Sequence, residues 1–163
     1  MFQPDENGVY ASVHASPARR IFAYAVLFAL GILVLYTALT HPPAIGWLVF
    51  LLVFGIGALW LAERLRRATL LRIDLTATDI RDSSGTVLAT MDEIKAVDRG
   101  VFAFKPSNGF TLITHEKKPR GWAPGLWWRL GRRVGVGGVT SAGQAKFMAE
   151  QIAFRLKITI ADR

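Results

Sequence analysis

The stretch IFAYAVLFALGILVLYTALTHPPAIGWLVFLLVFGIGALWLA, residues 21–62, contains no Asp, Glu, Lys or Arg. Its two halves, residues 21–40 and 46–62, are each close to the length of about 20 residues that a helix needs to cross a bilayer. Pro42 and Pro43 between them cannot continue a helix. The stretch therefore predicts a transmembrane helical hairpin. A cleaved signal peptide is the alternative for the first half, but its apolar run is too long and no small-residue cleavage site precedes the second half.

The charges on either side of the hairpin predict its orientation. Lys and Arg are enriched at the cytoplasmic ends of transmembrane helices, and the connection at residues 41–45 contains neither. Both termini are therefore expected in the cytoplasm, with residues 1–20 as an N-terminal tail. Five arginines lie at the opposite ends of the two helices: Arg19, Arg20, Arg64, Arg66 and Arg67.

Small residues recur in both predicted helices. Such residues let helices approach closely, either within the hairpin or against a third helix, and both arrangements are open. The spans contain no ionisable residue, which argues against a transporter, because such residues mark ion and proton paths. The small residues are Ala25, Ala29, Gly31, Gly55, Gly57, Ala58 and Ala62.

Residues 63–163 form the predicted cytoplasmic domain, and they carry the whole net charge of the chain. They contain 18 basic and 10 acidic residues, which accounts for the net charge of +8, whereas residues 1–62 contain two of each. An excess of positive charge beside a membrane favours attraction to anionic lipid. The chain has no cysteine, which fits a reducing compartment.

Short runs of β-branched and alternating residues in this domain predict several strands. Two turn signals separate some of them, DSSG at residues 82–85 and SNG at residues 107–109, because Asp, Asn, Ser and Gly favour tight turns. The predicted strands cover residues 69–78, 86–91, 101–104, 110–115 and 134–139.

The last element is predicted to be an amphipathic helix from residue 141 to about residue 156. Ser141 and Gln144 match a capping box at its start. Its apolar face consists of Ala145, Met148, Ala149, Ile152 and Leu156. The domain therefore combines five to seven antiparallel strands with one C-terminal helix.

The two-helix hairpin followed by DIRDSSGTVLATMDEIKAV, residues 79–97, resembles bacterial membrane proteins with a pleckstrin-homology-like (PH-like) domain, many of them uncharacterised. The resemblance covers about residues 20–157. It implies an α+β membrane protein of the inner membrane, in which a transmembrane hairpin precedes a small antiparallel PH-like β-barrel capped by a C-terminal α-helix. It implies no catalytic residues.

No pattern of an enzyme, cofactor or metal site stands out. The three histidines lie too far apart in sequence for a zinc motif, and Ser83 and Ser84 belong to the predicted turn. Asp92 and Glu93 are adjacent, which suits a paired-carboxylate site badly. GRRVGVGGVTS, residues 131–141, lacks the Gly-Lys-Ser/Thr ending of a phosphate-binding loop, so its glycines are read as packing or bending positions. We expect a non-enzymatic protein.

The stretch KKPRGWAPGLWWRLGRR, residues 117–133, has six basic residues, three tryptophans and no acid, and is expected to be a loop. Cations and tryptophans suit a lipid headgroup layer, and tethering to the membrane favours lipid over nucleic acid. Structural cover of the domain or contact with a membrane-protein partner is the alternative. The expected contact residues are Lys117, Lys118, Arg120, Trp122, Trp127, Trp128, Arg129, Arg132 and Arg133.

Two functions are compatible with these patterns. The first is an adaptor or assembly module whose domain docks on the anionic leaflet. The second is an accessory subunit of a larger integral-membrane complex, held by its hairpin.

Overall fold

The computed structural model describes residues 5, 6, 8–98 and 106–161, with side chains described as far as residue 157. The order of elements is β1 (Ala11–His14), α1 (Pro17–Thr40), α2 (Ile45–Ala68), β2 (Arg72–Leu75), β3 (Asp79–Asp82), β4 (Val87–Thr90), β5 (Ile94–Asp98), β6 (Phe110–Ala123), β7 (Trp127–Val136) and α3 (Ala142–Ala161).

The predicted helical hairpin is confirmed, and both helices are long and apolar enough to span a membrane. α1 begins before the charge-free stretch and α2 ends after it, so all five flanking arginines lie within helical turns. The helices pack through Gly31 and Gly55, since a Cβ on either glycine would come within 2.7 Å of a leucine of the other helix. Ala25, Ala29 and Gly57 are exposed and take no part in this packing.

The N-terminal segment, expected to be a tail, contains a strand. β1 pairs antiparallel with β2, with Ala11 opposite Leu75 and His14 opposite Arg72. Four residues are too few to show a reliable alternating pattern, and the partner strand lies beyond both helices. The helical hairpin is therefore inserted between the first two strands of one sheet.

The strands form two antiparallel sheets, ordered β1-β2-β3-β4 and β5-β6-β7. The closed barrel expected from the resemblance is not found in the described part of the chain. The DSSG turn is confirmed between β3 and β4, where Gly85 has a φ of 91°. The SNG segment is also a turn, but the strand expected before it, at residues 101–104, lies outside the described residues.

Both sheets and α3 contribute to a single hydrophobic core. Val13, Leu88 and Phe110 are almost completely buried in it. The predicted apolar face of α3 is confirmed, with Leu156 partly buried at its edge. The predicted capping box is wrong. The Gln144 side chain accepts a hydrogen bond from the His14 backbone N–H at 3.0 Å, and not from the Ser141 N–H as a capping box requires. Gln144 thereby ties α3 to β1.

The basic and aromatic stretch at residues 117–133 is a β-hairpin instead of the expected loop. β6 and β7 pair along most of their length, from Phe110 opposite Val136 to Ala123 opposite Trp127. The register shifts on either side of Lys118, and the second shift includes Pro119, which has no N–H to donate. Pro119 and the glycines suggested a loop in the sequence, but β-bulges accommodate these residues within a strand.

Candidate functional site

The turn that joins β6 to β7 packs against the C-terminal end of α2. Gly125 lies in this turn with a φ of 76°, and a Cβ at this position would be 3.3 Å from the Thr69 side chain. The neighbouring Leu126 is fully buried. On the other side of the turn, a Cβ on Gly138 would be 2.8 Å from the Gly125 backbone. The aromatic end of the hairpin is therefore next to the end of the second apolar helix.

The three tryptophans of the hairpin have different environments. Trp127 is 6% exposed, belongs to the core and donates from its indole N–H to the Asp82 carboxylate at 3.3 Å. Trp128 is half-buried, with its ring against Gly135, where a Cβ would lie 2.3 Å from the ring. Trp122 is 48% exposed and pairs across the strands with Trp128. Trp122 is thus the tryptophan that faces outward.

Arg129 makes contacts within the domain. Its Nε donates to the carbonyl oxygen of Pro119 at 2.7 Å, and one terminal nitrogen donates to that of Val87 at 2.8 Å. The guanidinium carbon also lies 5.8 Å from the centre of the Trp127 ring. Arg129 therefore connects the bulge of β6 to β4, while its charge is not paired with a carboxylate among the described residues.

Lys118 forms an ion pair with Glu93, at the turn between β4 and β5. The second carboxylate oxygen of Glu93 accepts the backbone N–H of Thr90 at 3.0 Å. The Lys118 hydrogen bond, with that of Thr90 behind it, lowers the pKa of Glu93 to about 2. Lys118 is therefore engaged in holding the two sheets together.

The other four basic residues of the hairpin are exposed and form no ion pair within the part of the chain that the structure describes. Arg120 lies two residues before Trp122, near the turn end of β6. The remaining three lie further from the turn, with Arg133 opposite Ile113 in the register. The nine residues expected to form one surface are therefore divided between the turn end, the middle of the hairpin and the core. The three basic residues that lie further from the turn are Lys117, Arg132 and Arg133.

Two depressions flank Trp122, and the side chains of Trp122 and Arg64 line both. The first has a volume of about 650 Å³ and lies between the last turns of α2 and the hairpin turn, with Trp60 and Arg67 in its wall. The second has a volume of about 590 Å³ and lies over the hairpin itself, where Arg120 is in its wall.

Arg64 and Arg67 were recognised in the sequence only as markers of membrane orientation. Their spacing within α2 gave no indication of a site, because the wall opposite them comes from a hairpin about 60 residues away in the chain. In the structure, the Arg64 guanidinium lies 5.5 Å from the centre of the Trp60 ring. Arg64 forms no ion pair among the described residues.

The possible metal ligands, the turn serines and the glycines before α3 were also considered from the sequence as candidates for a site. Within the described residues, no three His, Asp or Glu side chains form a group that could hold a metal ion. Ser84 donates from its backbone N–H to Asp82 in the turn after β3. The glycines at residues 135, 137 and 138 allow close approach of neighbouring groups, as at Gly137, where a Cβ would lie 2.8 Å from Gly109.

No protein-family model matches this chain, and neither the curated proteins nor the solved structures contain a significant match to it. Its function must therefore be inferred from its own residues.

Proposed function

We propose that this protein is a non-enzymatic inner-membrane protein whose PH-like domain docks on the anionic cytoplasmic leaflet and acts as an adaptor or assembly module. In this proposal the helical hairpin spans the membrane, both termini are cytoplasmic, and the connection between the helices is on the other side. The ligand is anionic lipid, and nucleic acid is not expected to bind.

The exposed apolar surface of the helices supports the membrane setting and is the observation that carries the proposal. In the most apolar 18-residue window of each helix, only 11% and 17% of the residues are buried within the protein. Large side chains such as Phe22, Trp47 and Val53 are more than half exposed. Water-soluble monomers rarely expose an apolar area of this extent, whereas lipid covers it without cost.

The layout of the domain supports the PH-like assignment. A four-stranded and a three-stranded antiparallel sheet are followed by one helix that covers the core. This layout agrees with the sequence resemblance in the number and antiparallel direction of the strands and in the C-terminal helix, but not in the position of β1, which precedes the helical hairpin. A PH-like fold carries no activity by itself, so the function has to reside in its surfaces.

The connections between the domain and the helices support docking on the leaflet. At the start of α1, the Ser16 N–H donates to the Val139 carbonyl at 2.7 Å, and Arg19 donates to the Thr140 carbonyl at 2.9 Å. At the end of α2, the turn between β6 and β7 packs on Leu65 and Thr69. A domain attached at both helix ends stays near the headgroups, where each unpaired Lys or Arg contributes on the order of 1 kcal/mol of attraction.

Docking can be tested with the full-length protein, because the chain has no cysteine and a single introduced one can carry a fluorophore. We choose Leu130→Cys, on the exposed face of β7 near Trp122, and Thr78→Cys in the loop at the far end of β2 as the control. The emission of an environment-sensitive dye attached at position 130 should shift to the blue in nanodiscs that contain phosphatidylglycerol, relative to nanodiscs of phosphatidylcholine alone.

The shift should decrease as salt rises, because exposed charges are screened over about 8 Å at physiological ionic strength. The Thr78 site should emit equally in both lipids. Equal emission from the Leu130 site in anionic and neutral nanodiscs would refute docking.

An accessory subunit of a larger membrane complex is the second candidate function. The observation in its favour is the pair Phe147 and Phe154, 40% and 57% exposed and seven residues apart on α3. Residues with this spacing lie on one face of a helix, as a contact surface for another protein requires. Co-purification of a stoichiometric partner in mild detergent, lost on Phe154→Ser, would favour this function over lipid docking.

A further inference from the structure

We propose that the two depressions beside Trp122 form one binding site for the headgroup of a single anionic phospholipid, in which Arg64 and Arg120 bind the phosphate. This inference rests on the proposed function, because lipid reaches the site only if α2 spans the membrane. It differs from general attraction to the leaflet, since it assigns one lipid molecule to one place.

Unpaired guanidinium groups are the first reason. Arg64 lines both depressions and Arg120 lines the second, and neither has an ion-pair partner among the described residues. A guanidinium group presents its donors in a plane that matches two oxygens of a phosphate. The two arginines come from α2 and β6, so the folded chain alone brings them to one site.

The carboxylates in the wall of the first depression are already engaged. Glu63 accepts hydrogen bonds from Arg66 at 2.7 Å and from Arg67 at 2.6 Å. Asp82 is buried and accepts the backbone N–H groups of Ser84 and Thr86, each at 3.0 Å, in addition to the Trp127 indole. These acids are therefore not available to pair with Arg64. The first depression has as many arginines as acids in its wall, and the excess of positive charge comes from the second, which is lined by Arg64, Arg120 and Arg129 and by no acid.

The apolar surface leading to the site gives the lipid its orientation. Ile56, Trp60 and Arg64 are spaced by four residues, so they follow one another along one face of α2. Ile56 and Trp60 are exposed, as acyl chains and the glycerol region require of the surface that they cover. Trp60 lies in the C-terminal half of α2 and lines the first depression together with Trp122, so a membrane-spanning α2 would bring both near the interface that tryptophans prefer. A lipid with its tails along Ile56 has its phosphate at Arg64.

The size of the site agrees with this ligand. Each depression, at about 650 Å³ and about 590 Å³, is within the range of roughly 300–1,000 Å³ typical of small-ligand sites. Because Trp122 lines both depressions, its side chain is positioned to contact the headgroup.

The test is native mass spectrometry of the full-length protein, released from detergent after mixing with equal amounts of phosphatidylglycerol and phosphatidylcholine. The wild type should retain one phosphatidylglycerol in preference to phosphatidylcholine. Arg64→Gln and Arg120→Gln should each lower the ratio of lipid-bound to free protein by about tenfold, the effect expected for the loss of one charge-assisted contact.

The matched control is Arg132→Gln combined with Arg133→Gln, which removes two charges from exposed positions outside both depressions. This variant should retain lipid to within about twofold of the wild type, as expected for surface charges that do not touch the ligand. Thermal unfolding in lipid-free detergent should be the same for all variants, which shows that the fold is intact.

Equal retention of the two lipids by the wild type would overturn the site. So would an equal loss of lipid from the control and from the Arg64 and Arg120 variants, since that result means unspecific attraction. If the Leu130 dye still responds to anionic nanodiscs, only the site is refuted and docking stands. If the chain is removed from membranes by alkaline carbonate, the membrane proposal and the site fall together.

Discussion

Glu93 connects three parts of the sheet domain through its side chain and backbone. Its carboxylate binds the Lys118 ammonium group of β6 and the Thr90 N–H at the end of β4. Its carbonyl oxygen accepts the His115 N–H at 2.9 Å. The side chains of Glu93 and Lys118 are 31% and 21% exposed, so water screens the ion pair only in part. The pair lies at the corner where one sheet passes into the other.

Glu93 should therefore make stability depend on pH in the acid range. The hydrogen bond from Lys118 lowers its pKa from an ordinary value of 4.5 to about 2. A lowered pKa in the folded state stabilises the protein fully above the unfolded-state value, and the contribution is lost as pH falls from about 4.5 to about 2. We expect Glu93→Gln to cost about 1 kcal/mol near pH 7 and much less near pH 3.

Unfolding of the full-length protein in detergent at the two pH values measures this difference. Asp92→Asn is the control, because the Asp92 side chain is exposed beside the same turn. Its effect should be small at both pH values. A cost of Glu93→Gln that is as large near pH 3 as near pH 7 would show that the ion pair does not contribute.

The helical hairpin depends on contact between two glycines. A Cβ on Gly55 would be 2.7 Å from the Leu35 side chain and 3.3 Å from the Gly31 carbonyl oxygen, so the helices touch with no space for a side chain. Gly57, two residues further, has no atom within 4 Å of such a Cβ. Gly55 and Gly57 therefore face opposite ways, one toward α1 and one away from the protein.

This difference predicts opposite outcomes for the same substitution. Gly55→Leu should separate the helices and destabilise the hairpin by about 1–3 kcal/mol, as expected for overpacking. Gly57→Leu should change the stability by less than about 0.5 kcal/mol, because it adds an apolar side chain to an already apolar outer surface. Circular dichroism during denaturation in detergent reports both. Similar losses for the two variants would contradict the packing of Gly31 against Gly55.

The two long helices lie between β1 and β2 in the chain, so the sheet domain is not one continuous segment. Because β1 precedes the helices, a fragment that begins at residue 63 lacks the buried Ala11 and Val13 and leaves the edge of β2 uncovered. A fragment of this kind loses part of the core. Lipid binding should for this reason be measured on the complete chain.

The orientation of the molecule in the membrane can be tested with single cysteines. Ala44→Cys places a thiol in the connection between the helices, and Ser84→Cys places one in the turn between β3 and β4. A membrane-impermeant thiol reagent should label the Ala44 site and not the Ser84 site in intact cells, because five arginines lie at the domain end of the helices. Both should react after the cells are broken. The reverse pattern in intact cells would invert the topology and exclude contact with the cytoplasmic leaflet.

Local patterns in the sequence were sufficient for the helices and for most turns. The charge-free run, Pro42 and Pro43 gave the hairpin, and the 3.6-residue period gave the buried face of α3 around Met148 and Ile152. These features depend on neighbours within a few residues. The basic and aromatic character of residues 117–133 also follows directly from composition.

Contacts between distant residues were decided only by the tertiary structure. The pairing of β1 with β2 spans two helices of 24 residues each, and a strand of four residues is too short to predict it from the sequence pattern. The burial of Trp127 and the exposure of Trp122 depend on which face of the β6–β7 hairpin meets Asp82 and the end of α2. Arg64 and Arg120 line the same depression for the same reason. They are far apart in sequence, and only the packing of α2 against the β6–β7 hairpin brings them together.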